Sequence, residues 1–297
     1  MRFATFASDR LKKAQAGIVT GERILPLRAL DGFPGSISKL IRRGPDEWQR
    51  LHETLRNTQA GWIPMAEVTL FAPIRRARRN IMCLGWNYAA HADESAQATG
   101  RDVPLPEHPI VFTKAPSTIN GPYDDFVYDA SLTDRIDWEV ELGVIIGVGG
   151  KAIAVERAHR HVFGYTVIND ISARDLQRRH QQFFLGKSLD GACPMGPWIV
   201  TTDEISDPQD LALRTYVNGE LKQNGHTSDQ IFSVAETISI LSRGMTLVPG
   251  DIIATGTPDG VGFARTPPEY LSDGDVVRCE IEGIGFIENR IVRAKGA

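Results

Sequence analysis

The sequence predicts an α+β protein, mostly β, with a small N-terminal α+β domain (residues 1–77) followed by a larger, sheet-rich C-terminal domain (residues 78–297). Three observations lead to this reading. Short apolar runs punctuated by glycine or proline dominate the second part. Helical periodicity is confined to a few stretches. Strands are not followed regularly by helices, which argues against a doubly wound nucleotide-binding fold. No internal repeat or low-complexity segment interrupts the pattern.

Residues 2–6, 16–19 and 24–27, with a turn at Gly21-Glu22, form a meander by their alternation. Leu40, Ile41, Trp48 and Leu51 are spaced for a helix over 38–55. The run Arg75-Arg76-Ala77-Arg78-Arg79 reads as a solvated linker at the domain boundary, and the apolar run 81–85 as the first strand of the new core. Further strands are expected at 109–113, 138–148, 164–168, 211–217, 251–255, 275–281 and 285–292. Helices are expected after Asn87 and over 155–161, 172–183 with Ser172 as its cap, and 233–242.

The chain has 297 residues and a formal charge of -4, with its lysines and arginines spread along the sequence. That distribution gives no basic footprint for nucleic acid and leaves a small molecule as the expected partner. Cys83, Cys193 and Cys279 are far apart, odd in number and form no CxxC pair. They read as buried thiols of a reducing compartment and exclude a sulfur-based zinc knuckle. No apolar run follows the charged start at Arg2, and none is long enough to span a bilayer, so no membrane partner and a cytoplasmic location are expected.

Several short motifs carry chemistry. Glu139 and Glu141 in Asp137-Trp138-Glu139-Val140-Glu141-Leu142 share one strand face, while Trp138, Val140 and Leu142 point into apolar packing. Two close carboxylates repel unless one is protonated or a cation lies between them, and with Asp170 downstream they form a candidate magnesium site. A polar sheet face is the plainer alternative. His91 and Glu94 lie three apart on one helical face, which suits a base steered by a carboxylate or an ordinary surface pair. Lys187, in the loop-like segment 185–194, could stabilise an enolate or be a solvated turn lysine. Arg174 and Gln177 share a face, and Arg174 could bind a carboxylate in bidentate fashion or pair with a nearby acid. The glycine-rich turn 255–262 can present backbone N–H groups and a Thr hydroxyl to a carboxylate, but it lacks the lysine of a P-loop. His159, His161 and His180 have no partner at metal-ligand spacing.

The motifs stand in one order: Asn87-Tyr88-x-x-His91-x-x-Glu94, Glu139-x-Glu141-Leu142-Gly143, Asn169-Asp170-x-x-Ala173-Arg174-Asp175-x-Gln177, Gly186-Lys187-Ser188 and Thr255-Gly256-Thr257-Pro258-x-Gly260-Val261-Gly262. In that order they resemble the fumarylacetoacetate hydrolase family, from about residue 81 to the C-terminus and more weakly before it. The resemblance implies a mixed β-roll/β-sandwich in the C-terminal domain and a homodimer. It implies Glu139, Glu141 and Asp170 as ligands of Mg²⁺, replaceable by Mn²⁺ or Ca²⁺, and leaves Asp137 outside the ligand set. It further implies His91, Glu94 and Lys187 as catalytic residues and Arg174, Gln177 and Thr257 as contacts to a 2-oxo or 2,4-dioxo acid.

The activity implied is metal-dependent hydrolysis of a C–C bond in an acylpyruvate or fumarylpyruvate of aromatic breakdown, through a metal-bound enolate, with His91 activating water. Oxaloacetate decarboxylation and hydroxymuconate-type isomerisation use the same site, and a non-catalytic dicarboxylate binder would need neither base nor lysine. The segment 92–106 is expected to be a lid.

Overall fold

Every residue of the strand Val140–Ile146 is buried, as its nearly unbroken apolar run requires of a strand covered on both faces. The computed structural model describes residues 1–9, 11–100 and 105–294 and places this strand within a twelve-stranded sheet. From one edge the order is Ile63–Pro64, Arg23–Pro26, Leu11–Thr20, Arg2–Ser8, Cys193–Thr201, Val162–Asn169, Val140–Ile146, Ile252–Ala254, Ile81–Gly85 and Ile110–Lys114. Val68–Phe71 adds to Arg2–Ser8, and Ile119–Asn120 adds to Cys193–Thr201. Most pairings are antiparallel, but Ile252–Ala254 runs parallel to Ile81–Gly85.

Alternation along the central strand sends its side chains into two cores. Val140, Leu142 and Val144 face a second sheet of five strands, Glu220–His226, Ala212–Val217, Val276–Ile281, Gly285–Arg293 and Phe126–Tyr128, and pack with Leu213, Val277 and Ile287. Ile145 faces the other way, with Phe3, Leu40, Leu51 and Ile199. The fold is therefore mostly β, with mixed sheets and few helices. The leading meander is hydrogen-bonded into the large sheet, with Arg2 opposite Val200 and Phe3 opposite Ile199. No helix among the described residues is long and apolar enough to cross a membrane.

Several local readings change. The helix expected over 38–55 is two, Ile37–Arg43 and Pro45–Arg56, broken where Gly44 takes a φ of 83° and Pro45 starts the second. Ser172 does not cap a helix: its hydroxyl donates to the Asp170 carbonyl, Ser172–Ala173 pairs with Ile136–Asp137, and the helix is Arg174–Arg179. The basic run is anchored at one end, since Arg79 forms two hydrogen bonds to the buried carboxylate of Asp251. The helix Val234–Gly244 begins with a capping box between Ser233 and Glu236, and all three cysteines are buried.

The pairing that aligns the site tolerates little added bulk. A Cβ at Gly164 would lie 2.3 Å from the Val200 carbonyl oxygen across the strand pair. Gly164→Ala should cost about 1–3 kcal/mol of stability in urea unfolding; wild-type stability would show that the two strands can separate freely.

Candidate active site and metal centre

Strand pairing explains why acids from separate segments meet. Val140 stands opposite Asn169, the Asp170 N–H donates to the Glu139 carbonyl at 2.8 Å, and the Glu139 N–H donates to Asn169 Oδ1 at 3.0 Å. Glu139 and Asp170 are thus fixed side by side at the ends of neighbouring strands, with Glu141 two residues further in. One carboxylate oxygen from each of Glu139, Glu141 and Asp170 lies within 4.8 Å of the others, and all three residues are buried.

Three cations compensate this charge. Lys187 Nζ donates to Glu139 Oε2 at 2.7 Å and Asp170 Oδ2 at 2.8 Å. Lys114 Nζ donates to Asp170 Oδ1 at 2.5 Å and to the Ile171 carbonyl at 3.0 Å. Arg174 pairs with Asp137 at 2.8 Å and Glu139 at 2.6 Å, and its Nη1 donates to Gln177 Oε1 at 3.1 Å. Burial pushes the Glu139 carboxyl up, but Lys187 and Arg174 outweigh it and hold it at about 2. Lys187 is held above its ordinary value because Asp170 and Glu139 outweigh its own desolvation.

Glu141 forms no ion pair among the described residues; the Gly256 N–H donates to it at 2.8 Å, and Lys187 acts on it only at longer range. Burial, then the charges of Asp170 and Glu139, push its carboxyl well above the usual range. With Asp137 there are four carboxylates to three cations. An all-oxygen donor set with uncompensated negative charge fits a hard divalent ion such as Mg²⁺ or Mn²⁺.

The turn after Ile252–Ala254 binds acids through its backbone. The N–H groups of Gly256, Gly260 and Gly262 donate to Glu141, Glu94 and Asp137 in turn, and Phe263 N–H also meets Asp137. These donors serve the protein's own carboxylates, where the sequence suggested a ligand's. Gly256 and Gly260 have φ of 94° and 96°, and a Cβ on Gly260 would lie 2.1 Å from the Lys222 carbonyl oxygen. Thr257 is buried beside them, its hydroxyl accepting from Gln223 Nε2 at 2.8 Å.

His91 and Glu94 lie on the helix Ala89–Thr99, with His91 Nδ1 2.7 Å from Glu94 Oε1. The other Glu94 oxygen accepts from the Gly260 N–H at 2.8 Å, so the carboxyl group is fixed against the His91 ring. In the tautomer with its proton on Nδ1, His91 keeps the Nε2 lone pair for proton exchange. His91, Glu139, Arg174, Gln177, Lys187 and Thr257 line one cavity of about 730 Å³, with Glu141 and Asp170 behind its wall. Trp86 and Gln181, also in that wall, hold left-handed φ of 50° and 58°, conformations that cost on the order of 1–3 kcal/mol and tend to gather at functional sites. Within the expected lid segment 92–106, residues 101–104 lie outside the described residues.

Lys187 is not on a solvated loop: it ends the short helix Phe184–Lys187 and is buried. The sequence reading missed Lys114 and passed over Asp137, both fully buried in the charge network. Lys114 sits at a strand end two residues from the cavity-lining Phe112, and that shared face was its one local signal. None of His159, His161 and His180 lines the cavity.

Residues 80–292 match the family described as fumarylacetoacetate (FAA) hydrolase C-terminal. The chain belongs to the fumarylacetoacetate hydrolase family. It is 45% identical to the oxaloacetate tautomerase YisK of Bacillus subtilis (strain 168), across 98% of this chain and 100% of that protein. A solved fumarylacetoacetate hydrolase from Exiguobacterium antarcticum superposes with a TM-score of 0.83 at 40% identity, covering 99% of this chain and 100% of that one. Maleylpyruvate hydrolase from Sphingobium sp. SYK-6, solved with manganese(II) and pyruvate, superposes with a TM-score of 0.80 at 30% identity, covering 99% and 100%. In this member of the fumarylacetoacetate hydrolase family the acidic triad is present, with Glu139 and Asp170 ion-paired and Glu141 not.

Two outcomes follow from the charge balance. Lys114→Met leaves Asp170 without its inner partner and should cost about 3–5 kcal/mol in urea unfolding, the range for a broken buried pair; a loss below about 1 kcal/mol would contradict the pairing. The Glu141 carboxyl is raised in the folded state, so its contribution to metal-free stability falls as pH rises above its ordinary 4.5, whereas Glu139, lowered to about 2, contributes fully above 4.5. Melting scans from about pH 5 to about pH 8 should therefore show a Mg²⁺-induced rise in Tm that grows with pH, as protons cease to compete for Glu141. A rise independent of pH would contradict this.

Proposed function

We propose that the chain is a metal-dependent isomerase of 2-oxo diacids that interconverts keto and enol tautomers, with oxaloacetate as its substrate. The observation that carries this reading is the full-length similarity to oxaloacetate tautomerase, together with a base-bearing cavity next to the acidic triad. The same evidence favours isomerisation over the C–C cleavage expected from the sequence.

The proton transfers need only groups already in place. Converting the keto form to the enol removes a proton from C3 and adds one to the C2 oxygen. His91 Nε2, made basic by the Glu94 carboxylate on Nδ1, takes the C3 proton, and the imidazolium so formed returns it to the C2 oxygen. Lys187 sets a positive charge in the cavity wall against the developing enolate oxygen, and Arg174 and Gln177 orient the substrate carboxylate. Glu139, Glu141 and Asp170 would hold the divalent ion, which when bound supplies Lewis-acid charge for the 2-oxo oxygen.

Hydrolysis of a 2,4-dioxo acid is the second reading, favoured by the likeness to a maleylpyruvate hydrolase. It uses the same base on a water and requires an acyl group at C3.

Following the decay of enol oxaloacetate by absorbance, with Mg²⁺ or Mn²⁺ and with chelator, tests the proposal. Wild type should accelerate the interconversion only with metal, and His91→Ala should lower kcat by about 10²–10⁴-fold. Metal-dependent cleavage of acylpyruvates without any effect on the enol would reject the isomerase and establish the hydrolase.

A further inference from the structure

Four cationic side chains line the cavity, Lys187, Arg174, Arg178 and Arg179, and they differ in what neutralises them. Lys187 belongs to Glu139 and Asp170, and Arg174 to Asp137 and Glu139. Arg179 lies 3.9 Å from Asp175 and is largely exposed. Arg178 is also exposed, at the cavity mouth, and has no carboxylate within ion-pair distance among the described residues. It is held by an aromatic face, its Cζ 5.3 Å from the centroid of the Phe263 ring.

Arg174 stands over the same ring at 4.5 Å, because the two arginines are four apart on the helix Arg174–Arg179. The Phe263 main chain is anchored at this point, its N–H donating to Asp137 Oδ2 at 3.0 Å, and its side chain is buried. The result is a short cationic column. Its inner guanidinium is committed to the acid cluster, and its outer one, about one helical pitch or 5.4 Å further along, retains its full charge. An aromatic face orients a guanidinium but does not neutralise it, so the donors of Arg178 stay available for bidentate pairing with a ligand carboxylate.

We propose that Arg178 forms a distal anion subsite that makes this cavity selective for 2-oxo acids carrying a second carboxylate. The proposal rests on the 2-oxo acid reading given above and deepens it. The headgroup lies at the inner end, near Lys187 and the acidic triad, and the second carboxylate points outward to Arg178. Arg178 here determines specificity and takes no part in proton transfer.

The test compares metal-loaded wild type, Arg178→Gln and Arg178→Lys by calorimetry, using 2-oxo diacids and chain-matched 2-oxo monoacids, alongside steady-state turnover. Wild type should prefer the diacids by about 2- to 5-fold, the range of a solvent-exposed ion pair. Arg178→Gln should remove most of that preference while leaving monoacid affinity unchanged, and Arg178→Lys should restore part of it. In turnover the loss should fall on KM and spare kcat. An unchanged preference in Arg178→Gln, or an equal loss for both ligand classes, overturns the subsite. If wild type turns over none of these acids but Arg178→Gln still abolishes the diacid preference, the subsite stands and the functional reading fails. Absence of binding by either class overturns both.

Discussion

Burying four carboxylates around three cations is the constraint on which the rest of the molecule depends. Removing an ion from water costs several kcal/mol unless partners replace its hydration, and here each partner arrives on a different element. Lys114 comes from the end of the strand Ile110–Lys114, Arg174 from the first position of a helix, and Lys187 from the last position of a short one. The sheet order brings these segments together, and Glu141 is left as the acid of the triad without an ion pair among the described residues, its carboxylate accepting from the Gly256 N–H. The excess of negative charge is concentrated at the position where a divalent ion can be shared by three carboxylates.

The turn that follows Ile252–Ala254 links this charge network to the base. Its backbone holds Glu141 at one end, Glu94 in the middle and Asp137 at the other. One short turn thus connects a ligand of the acidic triad with the carboxylate that meets His91 and, through Asp137, with Arg174. The two left-handed glycines in this turn are needed because the backbone approaches Asn87 on one side and Lys222 on the other too closely for a Cβ.

Much of this was legible in the sequence where the signal was local. Glu139 and Glu141 announced themselves because Trp138, Val140 and Leu142 alternate with them and lie in the core. The helix expected over 233–242 is kept as Val234–Gly244, with Ser233 as its cap. The break at Gly44-Pro45 was also local, and the apolar spacing on either side concealed it. What could not be read were the long-range pairings. Lys114 finds Asp170 across 56 positions and Arg79 finds Asp251 across 172, and no periodicity encodes such contacts. Ser172 failed as a cap because the Asp170 carbonyl, two residues back, offered its hydroxyl a closer partner. The family resemblance pointed to a 2-oxo acid headgroup and left open the choice among isomerisation, decarboxylation and hydrolysis.

The central claim is that Glu141 is an uncompensated buried acid awaiting a divalent ion, and Glu141→Gln tests it most directly. Glutamine keeps an oxygen for the Gly256 N–H but removes the charge. Melting temperatures of wild type and Glu141→Gln at neutral pH, with and without Mg²⁺, are the measurement. The account predicts that the metal-free variant melts above metal-free wild type and that Mg²⁺ raises the melting temperature of wild type alone. A variant less stable than wild type without metal, yet stabilised by Mg²⁺ to the same extent, would contradict it.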